Sequence, residues 1–359
     1  MATSFKGLTG KDTTTTKTLL HESLPITGSL LSGTYAGGLE SAANVRTFSH
    51  GMFQSYYDYP YLSSSANHIF DITVGISSGS GADTYTQNAK KVNIYSQMAQ
   101  VLMGHDATGS IQRFDEDGDI IAGGTKLDQC VFINFSRLLT KDEIKKESVS
   151  LQFLTGGFGT GSQQTGLVTI VDASASTNYR VNSPAGEYGI LYDQYTTTKK
   201  GLIFYQAGVA VLTASVFTNL SCAADAHGTR NSTSQEASNA SDFNIHSAND
   251  VLTGSTIDQA VTSIRQRIYN LQFNNTTELN SSIYFCRANH NEFNYSSNPT
   301  YLTGSKIRVK ETAQDRPSSY ITTVGLYSAD NQLLAVAKLS EPLKKTPETE
   351  LTLKVRLDY

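Results

Sequence analysis

The chain has 359 residues, long enough for one large or two smaller domains. Only 17% of them are charged and the net charge is -4, so no electrostatic footprint for nucleic acid is visible, and DNA packaging or condensation drops out of the expected functions. Tyr (19) and Phe (15) are plentiful, Trp is absent, and Ser, Thr, Asn and Gly fill the polar positions, a mixture suited to β-structure with many turns.

Residues 1–45 lack sustained periodicity and are rich in small polar groups, as in Lys11-Asp12-Thr13-Thr14-Thr15-Thr16-Lys17. Alone, such a segment stays flexible. In an assembly it can order as an arm across a neighbouring subunit, anchored by Leu19-Leu20 and Leu30-Leu31; a mobile or locally packed terminus is the equal alternative. His68 to Ile76 reads as a buried strand, and Val92, Tyr95, Met98, Ala99 and Leu102 then recur at the spacing of an amphipathic helix. Thr140-Lys141-Asp142-Glu143 has the spacing of a capping box and predicts a short polar helix ending near Glu147.

Strand signals follow at Ser150–Leu154, Leu167–Val171, Tyr188–Tyr192, Leu202–Tyr205 and Val209–Leu212, each bounded by Gly, Asn or Ser. Residues 219–250 are poor in aliphatics and read as a long excursion from the core. Next comes a helix with Ser255 as N-cap and Ile257, Val261, Ile264, Ile268 and Leu271 on one stripe. The chain closes on a strand, with Leu351, Leu353, Val355, Leu357 and Tyr359 on one face and Thr352, Lys354, Arg356 and Asp358 on the other. The expected fold is mainly β (α+β): a β-sandwich or mixed antiparallel sheets, with two or three short helices and long loops or arms. Its expected divisions are an arm at 1–45, a β-rich domain at 46–218, the excursion at 219–250, and a helix plus sheet at 251–359 packed with the preceding domain.

Motifs that carry chemistry are each outweighed by a plainer reading. Gly75-Ile76-Ser77-Ser78-Gly79 matches the nucleophile-elbow pattern, which makes Ser77 a candidate hydrolase nucleophile, but a flexible Ser80-Gly81-Ala82-Asp83 follows where an elbow turns straight into a helix. Asp115, Asp117 and Asp119 alternate as in a calcium loop and are the candidate metal ligands; Ile120 and Lys126 stand where an EF-hand needs Gly and Glu, so an Asp117-Gly118 turn is the plainer account. Gly156-Gly157-Phe158-Gly159-Thr160-Gly161 precedes a strand and not the helix that a phosphate cradle requires. The seven histidines show no zinc spacing. Cys130, Cys222 and Cys286 are an odd number without paired spacing, which fits ordinary thiols in a reducing cytoplasm. No cofactor is expected. The amino terminus lacks a charged region followed by an apolar core, and no stretch approaches the ~20 apolar residues of a membrane span.

Three further stretches carry a resemblance. Phe293-Asn294-Tyr295-Ser296-Ser297-Asn298-Pro299, Ile321-Thr322-Thr323-Val324-Gly325-Leu326-Tyr327 and Leu334-Ala335-Val336-Ala337-Lys338-Leu339-Ser340-Glu341-Pro342-Leu343, followed by the terminal Arg356-Leu357-Asp358-Tyr359, are similar to virion structural proteins of large contractile-tailed bacteriophages, particularly those of marine cyanobacteria. The similarity is strongest over 265–359 and continues weakly through Ser65–Asp71, Val181–Gly189 and Gln272–Glu278. It implies a non-enzymatic component of the phage tail, baseplate or neck, assembled in the host cytoplasm into the virion. The implied partners are copies of itself and other virion proteins in a symmetric assembly, with no direct nucleic-acid contact.

The candidate interface residues are Leu19, Leu20, Leu30 and Leu31 of the amino-terminal segment, Tyr56, Tyr57, Tyr59 and Tyr61 of an aromatic cluster, and Leu353, Val355, Leu357 and Tyr359 of the last strand. The alternatives are a receptor-binding or fibre-attachment module that stacks those tyrosines on host glycan, and a particle-borne hydrolase built on Ser77.

Overall fold

The computed structural model describes residues 5–27, 44–78, 88–118, 124–154, 167–217, 252–265, 267–296, 298, 302–304, 306–307, 312 and 314–359. Among these, strands dominate: β1 (Thr13–Thr27), β2 (Val45–Thr47), β3 (Gln54–Tyr57), β4 (His68–Ile76), β5 (Gln129–Phe135), β6 (Glu143–Ile144), β7 (Ser150–Leu154), β8 (Leu167–Val171), β9 (Tyr188–Asp193), β10 (Lys199–Phe204), β11 (Val209–Thr213), β12 (Ile268–Ala288), β13 (Leu302–Thr303), β14 (Lys306–Ile307), β15 (Ser319–Tyr327), β16 (Leu333–Lys345) and β17 (Leu351–Asp358). The α-helices are α1 (Asn88–Leu102), α2 (Arg137–Thr140) and α3 (Ile257–Arg265), and a 3-10 turn spans Ala214–Val216. The fold is mainly β with antiparallel sheets, as the composition and strand spacing predict.

Two compact units divide the chain, residues 20–277 and residues 1–19 with 278–359. The division between these units cuts β1 at Leu19/Leu20 and β12 at Thr277/Glu278, both within continuous strands.

In the larger unit the sheet follows the order β12-β7-β8-β9-β10-β11-β5-β4-β3-β2, with β6 also on β12. Register partners Phe70–Phe135, Ile72–Ile133 and Val74–Val131 share one face, and Thr73–Phe132 and Asp71–Asn134 share the other. The sheet curls: Phe273 of β12 meets Phe135 of β5 with ring centroids 4.8 Å apart, although β7 to β11 lie between them along the strand order. The curl brings β12 onto the first face beside β5, and α3 covers that face over β3 and β4, where Gln54, the register partner of Ile72, donates to the Asp258 carboxylate at 2.7 Å. The second face is covered by α1 and the segment after it, where Phe114 contacts Tyr95, Phe132 and Phe204. Gly75 permits this close approach, since an added Cβ would stand 3.0 Å from the Tyr95 backbone nitrogen. Burial on both faces explains the unbroken apolar runs of β5, β10 and β11.

Four local expectations are revised. The stripe on α1 includes Asn88, Lys91 and Ile94 beside the expected Tyr95, Ala99 and Leu102; Lys91 is fully buried, with its ammonium donating to the Leu252 and Ser255 carbonyls at 2.5 Å each. The helix near Thr140 ends there instead of beginning: Lys141 has φ 54°, and Glu143–Ile144 pairs with β12 because Ile144 is a core residue with no exposure. Helix α3 stops at Arg265, and Ile268 and Leu271 lie on β12 opposite Phe153 and Leu151. Its cap is Thr256, whose Oγ1 accepts from the Gln259 amide at 3.2 Å while Gln259 Oε1 accepts from the Thr256 amide at 2.9 Å, a reciprocal box one residue past Ser255.

The smaller unit pairs β12 residues Ser281–Ala288 with β17 residues Leu351–Asp358, and holds β15–β16 and β13–β14 as separate two-stranded sheets. Its buried apolar residues, among those described, are Ala288 and Val355; the contiguous core belongs to the larger unit. The expected arm is a strand from Thr13 to Thr27 beside β12. Threonine-rich sequence reads as flexible by hydropathy, but β-branched Thr13–Thr16 suit a ladder once a partner strand is present.

Candidate assembly surfaces

The interface candidates separate by burial. Leu19 and Leu20 sit on β1 and are each 49% exposed. Leu30 and Leu31 lie outside the described residues. Tyr56 is not a surface residue: it is fully buried, stacks on Phe70 at 4.8 Å, and donates to Gln54 Oε1 at 2.7 Å, so it leaves the interface set and joins the core. The period-2 rule places it on the same sheet face as Phe70, which sequence inspection of a tyrosine run does not reveal. Tyr57 is half-buried against His68, while Tyr59 and Tyr61 are exposed on a loop pinned by Asp58, whose carboxylate accepts from the Asn67 amide and side chain at 2.6 and 2.8 Å.

Strand β17 alternates as its sequence predicts, but the apolar face is only partly covered. Val355 is buried, Leu353 and Leu357 are half-buried, and Tyr359 is exposed. Tyr359 nonetheless continues the ladder, exchanging both backbone hydrogen bonds with Asn280.

Among the described residues of the smaller unit, an exposed apolar row lies where the sequence reads as ordinary strand. In the β15–β16 hairpin, Gly325, Tyr327, Leu333 and Val336 fall on an exposed face. The Tyr327 and Leu333 side chains lean over Gly325, where an added Cβ would meet them at 2.9 and 3.4 Å, and Phe5 packs on Tyr327 with centroids 4.6 Å apart. Phe5 and Tyr327 are 44% exposed, Leu333 53% and Val336 51%. The other face carries Val324, Leu326, Ala335 and Ala337, all half-buried. A signal for this existed: apolar residues occupy adjacent positions in both strands, the pattern of strands covered on both sides. Lys345 anchors the base of the hairpin, its buried ammonium donating to the His290 and Thr346 carbonyls and to Asn294 Oδ1 at 3.2, 2.8 and 2.9 Å.

No family model, curated protein or solved structure matches the chain.

Groups proposed for chemistry are engaged elsewhere. The buried Asp115 carboxylate is taken by the Lys126 ammonium and by the Asp117 amide at 3.0 Å, and Asp117 faces Lys199 at 3.7 Å; Asp119 lies outside the described residues. Burial pushes the Asp115 carboxyl above its ordinary value. Two of the three aspartates thus face lysines, and among the described residues no group of three His, Cys, Asp or Glu is placed to hold a metal ion. Ser77 is 1% exposed and donates to Asp128 at 2.6 Å, with Arg113 on the same carboxylate oxygen at 3.0 Å, so this hydroxyl contacts an acid and not an imidazole base. The glycine-rich stretch at 156–161 lies outside the described residues. Cys130 is a buried thiol.

A polar cluster crosses β3 and β4, where Ser55 Oγ donates to Asp71 Oδ1 at 2.5 Å and His68 Nε2 lies 2.8 Å from the same oxygen. The Asp71 hydrogen bond raises the His68 pKa. Serine and histidine both address the carboxylate, so the imidazole contact here is to Asp71 and not to the serine hydroxyl. Among the described residues, no helix is long and apolar enough to cross a membrane.

Proposed function

We propose that this chain is a non-enzymatic structural component of a tailed-phage virion, acting in the tail, baseplate or neck by forming contacts between subunits. The observation that carries the reading is the placement of the exposed apolar hairpin. Residues 319–345, which hold two of the stretches resembling contractile-phage virion proteins, form the strands that leave Tyr327, Leu333, Leu334 and Val336 uncovered. Apolar rows of this kind mark protein–protein surfaces. Unit-to-unit burial of such rows would supply affinity, and polar rims such as Lys338 and Lys344 would supply register.

A second reading, host recognition, is favoured by Tyr59 and Tyr61 on their pinned loop, since rigid exposed tyrosines suit stacking on sugar rings. Cryo-electron density of intact particles separates the two. Density for this chain in a closed ring at the neck, tail or baseplate is the expected result. Density only at an exposed distal tip would favour recognition, and its absence from particles would overturn both readings.

A further inference from the structure

We infer that the Phe5–Tyr327–Leu333–Val336 face of the β15–β16 hairpin is a docking surface for a second copy of this chain, which contacts it head to tail through the acidic unit, residues 20–277. This rests on the assembly reading above and names the partner and the face.

Burial gives the first argument. A two-stranded hairpin is at best marginally stable in water by itself, and the described part of its unit buries only Ala288 and Val355 as apolar residues. Both hairpin faces are apolar, yet one is exposed and the other half-covered. A unit so poor in core needs cover supplied from outside wherever it is stable. A copy of the same chain is present in equal number from synthesis onward and meets that need without a second gene product.

Charge gives the second argument and sets the orientation. The hairpin-bearing unit has 13 Lys and Arg against 10 Asp and Glu, net +3, while residues 20–277 have 15 against 22, net -7; together these give the chain's -4. Lys338, the cross-strand partner of Thr323, and Lys344, the partner of Tyr320, are exposed on the hairpin. Pairing two hairpin units would bring like net charges together, whereas hairpin on acidic unit joins opposite ones. The contact is therefore heterologous, and a heterologous contact repeats into a ring when its rotation closes.

The test uses the purified full-length chain. Sedimentation velocity is expected to show an oligomer of fixed copy number that weakens tenfold or more between low and high salt. Leu333→Lys combined with Val336→Lys, both at exposed positions, should yield monomers with an unchanged far-UV circular dichroism spectrum. Lys338→Glu combined with Lys344→Glu, which leaves the apolar residues intact, should weaken association and flatten its salt dependence. Carbodiimide cross-linking of mixed isotope-labelled and unlabelled copies should join Lys338 or Lys344 to carboxylates within residues 20–277. A monomeric wild type, an oligomer indifferent to both double variants, or cross-links confined to the hairpin units would overturn the inference. If the chain is monomeric but present in particles, the virion reading stands and self-docking falls; an oligomer that is absent from particles does the reverse.

Discussion

Asp172 offers the sharpest quantitative test of the core of the larger unit. It follows β8, is 1% exposed, and ties three segments together: its oxygens accept from the Glu147 amide at 2.8 Å, the Val149 amide at 3.0 Å and the Tyr205 hydroxyl at 3.2 Å. Burial pushes its carboxyl up to about 6 from an ordinary 3.8, although those three bonds favour the ionised form. Between these two values the folded state binds a proton that the unfolded chain has released, so stability falls as pH rises through the window. The contribution is fully present below about pH 4 and lost above about pH 6, and a shift of roughly two units corresponds to about 3 kcal/mol.

Asp172→Asn removes the titration. It also places two amide hydrogens where the protonated carboxyl carries one hydroxyl hydrogen, facing groups that already donate, so the variant starts less stable at pH 4 by about 1–3 kcal/mol. Urea unfolding followed by far-UV circular dichroism at half-unit steps from pH 3.5 to 7.5 gives both curves. Subtracting them cancels groups of opposite slope, such as Glu147, which hydrogen bonds from Ser176 hold below its ordinary value. The expected result is a wild-type advantage that shrinks by about 3 kcal/mol across the window. Parallel curves would refute the claim that a buried, proton-binding Asp172 governs this slope.

Gly75→Ala should cost about 1–3 kcal/mol in thermal or urea unfolding, because the new methyl would stand 2.9 Å from Phe132 Cε2 and against the backbone of α1. Thr256→Ala should cost about 1 kcal/mol and show faster amide exchange in the first turn of α3, since one half of the capping box is lost; Ser255→Ala should leave that exchange unchanged. Lys91→Met keeps the volume but leaves the Leu252 and Ser255 carbonyls without their ammonium donor, and is expected to lose about 1–3 kcal/mol and to speed proteolysis near residue 252. Equal stability and equal cleavage would show that the ammonium's burial costs as much as its hydrogen bonds return.

Periodicity alone determined much of this protein. The strands at His68–Ile76, Ser150–Leu154, Leu167–Val171 and Leu351–Asp358 were legible because alternation or an unbroken apolar run is a local property, and α1 was legible from its recurring apolar stripe. Helix ends were less so: Thr140 and Ser255 both fit cap rules, yet burial of Ile144 and the reciprocal bonds of Thr256 and Gln259 decided the outcome. What the chain pairs with what is a long-range matter. Tertiary structure alone put Tyr56 in the core beside exposed Tyr59 and Tyr61, gave Asp115 to Lys126, turned the threonine-rich amino terminus into a strand beside β12, and ran the unit boundary through continuous ladders. It alone also left one face of the β15–β16 hairpin uncovered, because solvent exposure depends on every other segment of the chain, and no window of sequence contains them all.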